Sequence, residues 1–222
     1  MSALSEKYNF DEWVSSVFDH EVTEPEWYWA LRGESDWIDS SPITVVEYVT
    51  RLFEEPERLL DQYSRAQVGQ GICYLSSGAC SEYPWLLTYD QVPVAEQSRC
   101  IKSIGKLFAR LFAPNCLPQL GHLTKKGDIS DPLNSVCYMW WENFNAGSPP
   151  DAGFDWCIEV MEETLKLPSE ACCEGALHGL GHEEDKVPET VHRIIDEFLA
   201  ERSSVSPELR AYAARAREGA IP

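Results

Sequence analysis

Glu174, His178 and His182 stand at i, i+4 and i+8, a spacing that stacks all three along one stripe of an α-helix. Two histidines one turn apart can share a metal ion, and a carboxylate a turn earlier can add an oxygen ligand. The motif is not HExxH, because Gly179 occupies the place of that motif's general-base glutamate. A metal-dependent enzyme built here would need further ligands, with Asp185 or His122 as the candidates. The same stripe also reads as packing. Gly175 and Gly179 are themselves four residues apart and would cut a groove for close helix contact, with the histidines along its border. Packing is the reading adopted, so no catalytic residue and no cofactor is expected, and Glu174, His178 and His182 stand as the alternative, metal-binding set.

Residues 10–39 are rich in a second kind of chemistry. Trp13, Trp27, Tyr28, Trp29 and Trp37 are interleaved with Asp11, Glu12, Asp19, Glu21, Glu24, Glu26, Glu34, Asp36 and Asp39. Some of these rings must fill a core. The stretch 24–39, however, has no helical period that would hide them all. Aromatic side chains set among carboxylates suit a protein interface, where rings anchor by burial and charge steers the encounter. Trp27, Trp29 and Trp37, with Glu24, Glu26 and Glu34, are the expected partner-binding residues.

Other chemistries find no support. There is no GxGxxG after a strand and no GxxxxGK[ST] to cradle phosphate, and the acidic runs Glu162-Glu163 and Glu183-Glu184-Asp185 read as solvated helix surface. The eight cysteines include no CxxC spacing, and several lie among apolar neighbours, as in Ile72-Cys73-Tyr74 and Trp156-Cys157-Ile158. They are expected as small, reduced core residues.

The 222 residues carry 18 Lys+Arg against 37 Asp+Glu, a formal net charge of −19 that argues against binding nucleic acid through its phosphates. The charge is uneven: −11 over residues 1–64, +3 over 65–130 and −11 over 131–222. No apolar run is long enough to span a bilayer, and the first twenty residues lack the pattern of a secretory signal, so a cytoplasmic location without membrane contact is expected.

The elements that must position these residues are helices. Apolar residues recur on one face over 65–79 (Val68, Ile72, Leu75, Ala79), 94–112 (Val94, Ile101, Ile104, Phe108, Leu111), 152–166 and 188–201. Asn9 caps a predicted helix over 9–20, Pro56 breaks one over 43–63, and Ser206-Pro207 opens the last, which stops near Gly219. Strand signals are nearly absent. The fold class is all-α with nine or ten helices, a single domain over 1–222. Its acidic, aromatic N-terminal part spans 1–64, and antiparallel helix pairs stack over 65–222. The pairs are 65–79 with 94–112, 133–145 with 152–166, and 170–182 with 188–201. Cys73-Tyr74-Leu75 recurs as Cys137-Tyr138-Met139, and Leu120-Gly121-His122 as Leu180-Gly181-His182. A HEAT-like helical repeat and an irregular helical bundle both fit this pattern.

The run CCEGALHGLGH at 172–182, a proline-started helix, and SPELRAYAARAREG at 206–219 resemble the C-terminal part of uncharacterised bacterial proteins with HEAT-like helical repeats. That resemblance covers about a quarter of the chain and implies a bacterial, cytosolic, helical protein. It carries no catalytic residue. The expectation that follows is a non-enzymatic binding module, in its most concrete form a bacterial immunity protein or antitoxin offering an acidic surface to a basic partner such as a toxin. A helical-repeat adaptor with another partner fits the sequence equally.

Overall fold

Local signals in the sequence become helix ends. The Asn9 carboxamide accepts from the backbone N–H of Asp11 and Glu12 while Glu12 reaches back to the Asn9 N–H, a closed capping box. A second box joins Ser64 and Gln67. Ser41, Asp131 and Ser206 cap three further helices that have proline in their first turn. The computed structural model describes residues 9–31, 41–88, 90–125, 130–144 and 152–222.

Among these residues the regular secondary structure is all helical, as predicted, with no strand. The α-helices are α1 (Phe10–Phe18), α2 (Pro42–Glu54), α3 (Leu59–Gln62), α4 (Arg65–Ser76), α5 (Val94–Leu107), α6 (Ala113–Asn115), α7 (Pro132–Asn143), α8 (Ala152–Thr164), α9 (Glu170–His182), α10 (Pro188–Glu201) and α11 (Pro207–Arg217). Two of the eleven, α3 and α6, are a single turn. Pro56 interrupts the helical run over 43–63 where expected, and a wider π-turn over Phe108–Phe112 continues α5. Among the described residues no helix is long and apolar enough to cross a membrane.

The dominant contacts join alternate helices. One row runs α2–α5–α8 and the other α1–α4–α7–α9–α11, with α10 closing against α11. The three pairs expected from helix spacing are therefore corrected: α4 with α5 and α7 with α8 make at most marginal contact and α9 and α10 touch only lightly, because α4, α5, α7, α8 and α9 pack on alternate neighbours instead and α10 on α11. The rows are sealed by aromatic packing, with Phe53 edge-on to Trp140, and Phe108 edge-on to Trp140 and stacked with Trp141. The predicted apolar faces are buried at Val68, Ile72, Leu75, Ile101, Ile104, Phe108 and Leu111. Val94 differs: it is the first residue of α5 and is 64% exposed. Ala79 lies beyond the end of α4 and is exposed. None of the eight cysteines is in a disulfide, five of them are buried, and burial pushes the Cys100 thiol up to about 12.

Candidate functional site

Helix α9 runs through the interior, with every residue from Ala171 to Gly181 buried. It lies against α7 because Gly175 and Gly179 leave room. A Cβ at residue 175 would stand 2.4 Å from the Cys137 carbonyl oxygen, and one at 179 would stand 2.6 Å from the Trp141 Cβ. The glycine groove read from the sequence is therefore a real contact surface. It also sets how close the side chains of α7 come to the histidines.

Along the predicted stripe the structure separates Glu174 from His178 and His182. Glu174, 1% exposed, turns toward residues 120–123, where its two oxygens accept from the backbone N–H of Gly121 at 2.6 Å and of His122 at 2.9 Å. The same carboxylate meets His122 Nδ1 at 2.5 Å. Asn134 holds that segment in place through Leu117 and Gln119, and the N-cap Asp131 grips Arg65 with both oxygens. With its lone pairs directed there, Glu174 serves as a buried clamp.

The third corner beside the histidines is Glu142, from the last turn of α7. Its Oε2 lies 3.2 Å from His178 Nε2 and 4.0 Å from His182 Nε2, and the two histidine nitrogens are 3.2 Å apart. The three side chains form a cluster able to hold a metal ion, which is the ligand set of the sequence reading with Glu142 in place of Glu174. His178 is buried, while His182 and Glu142 are 36% and 47% exposed, so the cluster opens to solvent on one side. Behind it, His178 Nδ1 meets the Tyr212 hydroxyl at 2.7 Å, which in turn meets the Tyr138 hydroxyl at 3.1 Å. The His122 ring stacks on Tyr212 at 4.4 Å, so the Glu174 clamp and the Glu142 corner share one wall. Burial lowers the pKa of His178 from its ordinary value, against the raising pull of Glu142. Burial raises that of Tyr212. Neither Asp185 nor His122 belongs to the cluster. Glu142 and Tyr212 escaped the sequence reading because they come from two other helices and share no motif with the stripe.

The N-terminal residues form a second region. Gln67 and Gln70 of α4 donate to the His20 and Thr23 carbonyls and fix the segment 19–26 along that helix. Asp11, Glu12, Asp19, Glu21 and Glu24 are exposed. Trp27 is half-buried, stacked on His20 at 3.6 Å and tilted against Tyr74 at 4.8 Å. Trp29 is also half-buried and donates its indole N–H to Glu26 at 3.0 Å. Trp13 and Tyr28 are core residues. Trp37 and Glu34 lie outside the described residues, as do Asp36 and Asp39. Trp85, 43% exposed, is an aromatic the sequence reading passed over.

Comparison with known protein families, with curated proteins and with solved structures returns no match for this chain.

Proposed function

We propose that the chain is a non-enzymatic binding module whose acidic N-terminal surface receives a basic protein partner, in the manner of a bacterial, cytoplasmic immunity protein. The observation that carries this reading is the distribution of ion pairs. Lysines and arginines beyond residue 64 are bonded to the chain's own carboxylates: Arg99 and Lys106 to Glu54, Arg110 to Glu57, Arg65 to Asp131, Lys102 to Glu159, Arg193 to Glu162 and Glu197, and Arg217 to Asp196. Both ends of the chain carry −11, but five of the C-terminal acids, Asp131, Glu159, Glu162, Asp196 and Glu197, are engaged in these bonds. Among the described residues no ion pair takes an acid before Glu54, so Asp11, Asp19, Glu21 and Glu24 present their charge to solvent. A surface of that kind accelerates encounter with a cationic partner. The half-exposed edges of Trp27 and Trp29 flank it as anchors, and two rows of helices of the HEAT-like kind provide a rigid support.

Affinity selection from the host, run at low and high salt with wild-type protein and a Glu21→Lys/Glu24→Lys variant, tests the reading. A basic protein should be captured at low salt, released as salt rises, and lost with the variant. Capture of the same proteins by both forms at the same salt contradicts it. The metal-dependent alternative acquires its own observation in the Glu142 corner.

A further inference from the structure

We propose that Glu142, His178 and His182 form a site for one divalent transition-metal ion of the zinc class, linking α7 to α9 and keeping a coordination position open to solvent. This inference is independent of the partner surface.

The geometry is the first argument. Glu142 Oε2, His178 Nε2 and His182 Nε2 mark a triangle with sides of 3.2, 4.0 and 3.2 Å. The point equidistant from the corners of such a triangle lies about 2.05 Å from each, inside the range of roughly 2.0–2.2 Å at which zinc binds imidazole nitrogen and carboxylate oxygen. The two rings are nearly perpendicular, at 87°, and their Nε2 atoms lie 3.2 Å apart.

The second argument is the supply of protons. Nε2 of His178 lies 3.2 Å from both an oxygen and a nitrogen acceptor, and it can carry one hydrogen at most. The remaining edge, 4.0 Å, exceeds hydrogen-bond reach. Hydrogen bonds alone therefore leave the triangle incompletely joined, whereas a cation at its centre accepts all three lone pairs. The Tyr212 hydroxyl lies 2.7 Å from His178 Nδ1 and 3.1 Å from the Tyr138 hydroxyl, so it can accept a hydrogen bond from the Nδ1–H tautomer of His178, the tautomer that leaves the Nε2 lone pair free for an ion. Such an outer partner orients a ligand and sharpens metal affinity.

The third argument is the mixture of donors and access. Two imidazoles and one carboxylate suit zinc, cobalt or nickel, whereas calcium and magnesium favour sites made of oxygen. Three protein ligands with one open side are the pattern in which a fourth position holds water or an exchangeable ligand. His182 and Glu142 supply that open side, since both reach solvent.

The test uses the full chain, reduced and stripped with chelator, then titrated with zinc(II) by calorimetry and with cobalt(II) by absorption spectroscopy. His182→Ala and Glu142→Gln are suitable variants because both side chains reach solvent, and circular dichroism checks that each still folds. The wild type should bind one zinc per chain, melt at a higher temperature when loaded, and show cobalt d–d bands without a thiolate charge-transfer band. Each variant should bind at least about 100-fold more weakly, because losing a ligand costs more than losing an outer partner. Zinc uptake by the wild type no greater than by a His182→Ala/Glu142→Gln double variant overturns the proposal and leaves a hydrogen-bonded packing cluster. A cobalt spectrum with thiolate charge transfer also overturns it, placing the ion on the cysteines.

Discussion

The corner where α7, α9 and α11 meet and the acidic N-terminal segment are both rich in carboxylates and aromatic rings, yet they handle them in opposite ways. At the corner the polar atoms are turned inward and meet one another: Glu174 with Gly121 and His122, His178 with Tyr212, Tyr212 with Tyr138. Along residues 11–24 the carboxylates face solvent with no ion pair among the described residues, and the rings behind them pack into a local aromatic cluster. The same residue types thus serve as interior cement in one place and as an open charged face in the other. Burial decides which, because an unpartnered carboxylate is tolerable in water and costly inside.

The largest expected effect belongs to the corner's spacing. Gly175→Ala sets a methyl group 2.4 Å from the Cys137 carbonyl oxygen, a backbone atom that cannot swing aside. A loss of about 3 kcal/mol in unfolding free energy is expected, measured by denaturant titration, with weakened zinc uptake if α7 and α9 separate. Retention of full stability would mean that the helices are not in such close contact.

Glu174→Gln should have nearly as large an effect. The carboxylate accepts two backbone N–H groups and contacts His122, and an amide nitrogen in its place would face donors with a donor. A cost of about 2–3 kcal/mol follows for a buried group left wrongly paired. Zinc binding by the folded fraction should persist, since Glu174 lies outside the triangle. Loss of zinc with unchanged melting would return Glu174 to the ligand set.

Trp27→Ala brings the comparison to the outer region. The ring stacks on His20 and leans on Tyr74 but is only half-buried, so its truncation should cost about 1–2 kcal/mol, less than a core tryptophan. If Trp27 also anchors a partner, dissociation of that partner should quicken by more than the stability loss explains.

How much of this was legible in the sequence follows the reach of each signal. Caps at Asn9 and Ser206, the break at Pro56, and the inward faces of α4 and α5 are set by residues within a few positions of one another, and apart from Ala79 and Val94 at the helix ends they are present as read. Gly219 has φ +62, as a residue ending a helix often does. The Gly175/Gly179 groove was legible for the same reason. Which helices stack was not, because alternate rows are chosen by faces that meet across long loops. The candidate site was half legible. His178 and His182 lie one turn apart on α9, but Glu142 is 36 residues from His178 and arrives from α7, and Tyr212 arrives from α11. Glu174 satisfied the helical spacing, yet its rotamer is decided by Gly121 and His122 in a segment that helical spacing could not place.

Charge reversal should have the smallest effect on stability and the most direct bearing on function. Glu21→Lys/Glu24→Lys alters exposed side chains without ion pairs and should shift unfolding free energy by no more than about 0.5 kcal/mol. Asp185→Lys/Glu218→Lys, an equal charge change on exposed C-terminal acids, is the matched control. The decisive measurement is the recovery of basic proteins from the host by wild type and by these two variants, at low and at high salt. The N-terminal reversal should abolish a salt-sensitive capture that the C-terminal reversal leaves nearly intact. Equal capture by both variants, or loss only with the C-terminal one, would contradict the assignment of the partner surface to the open acids of residues 11–24.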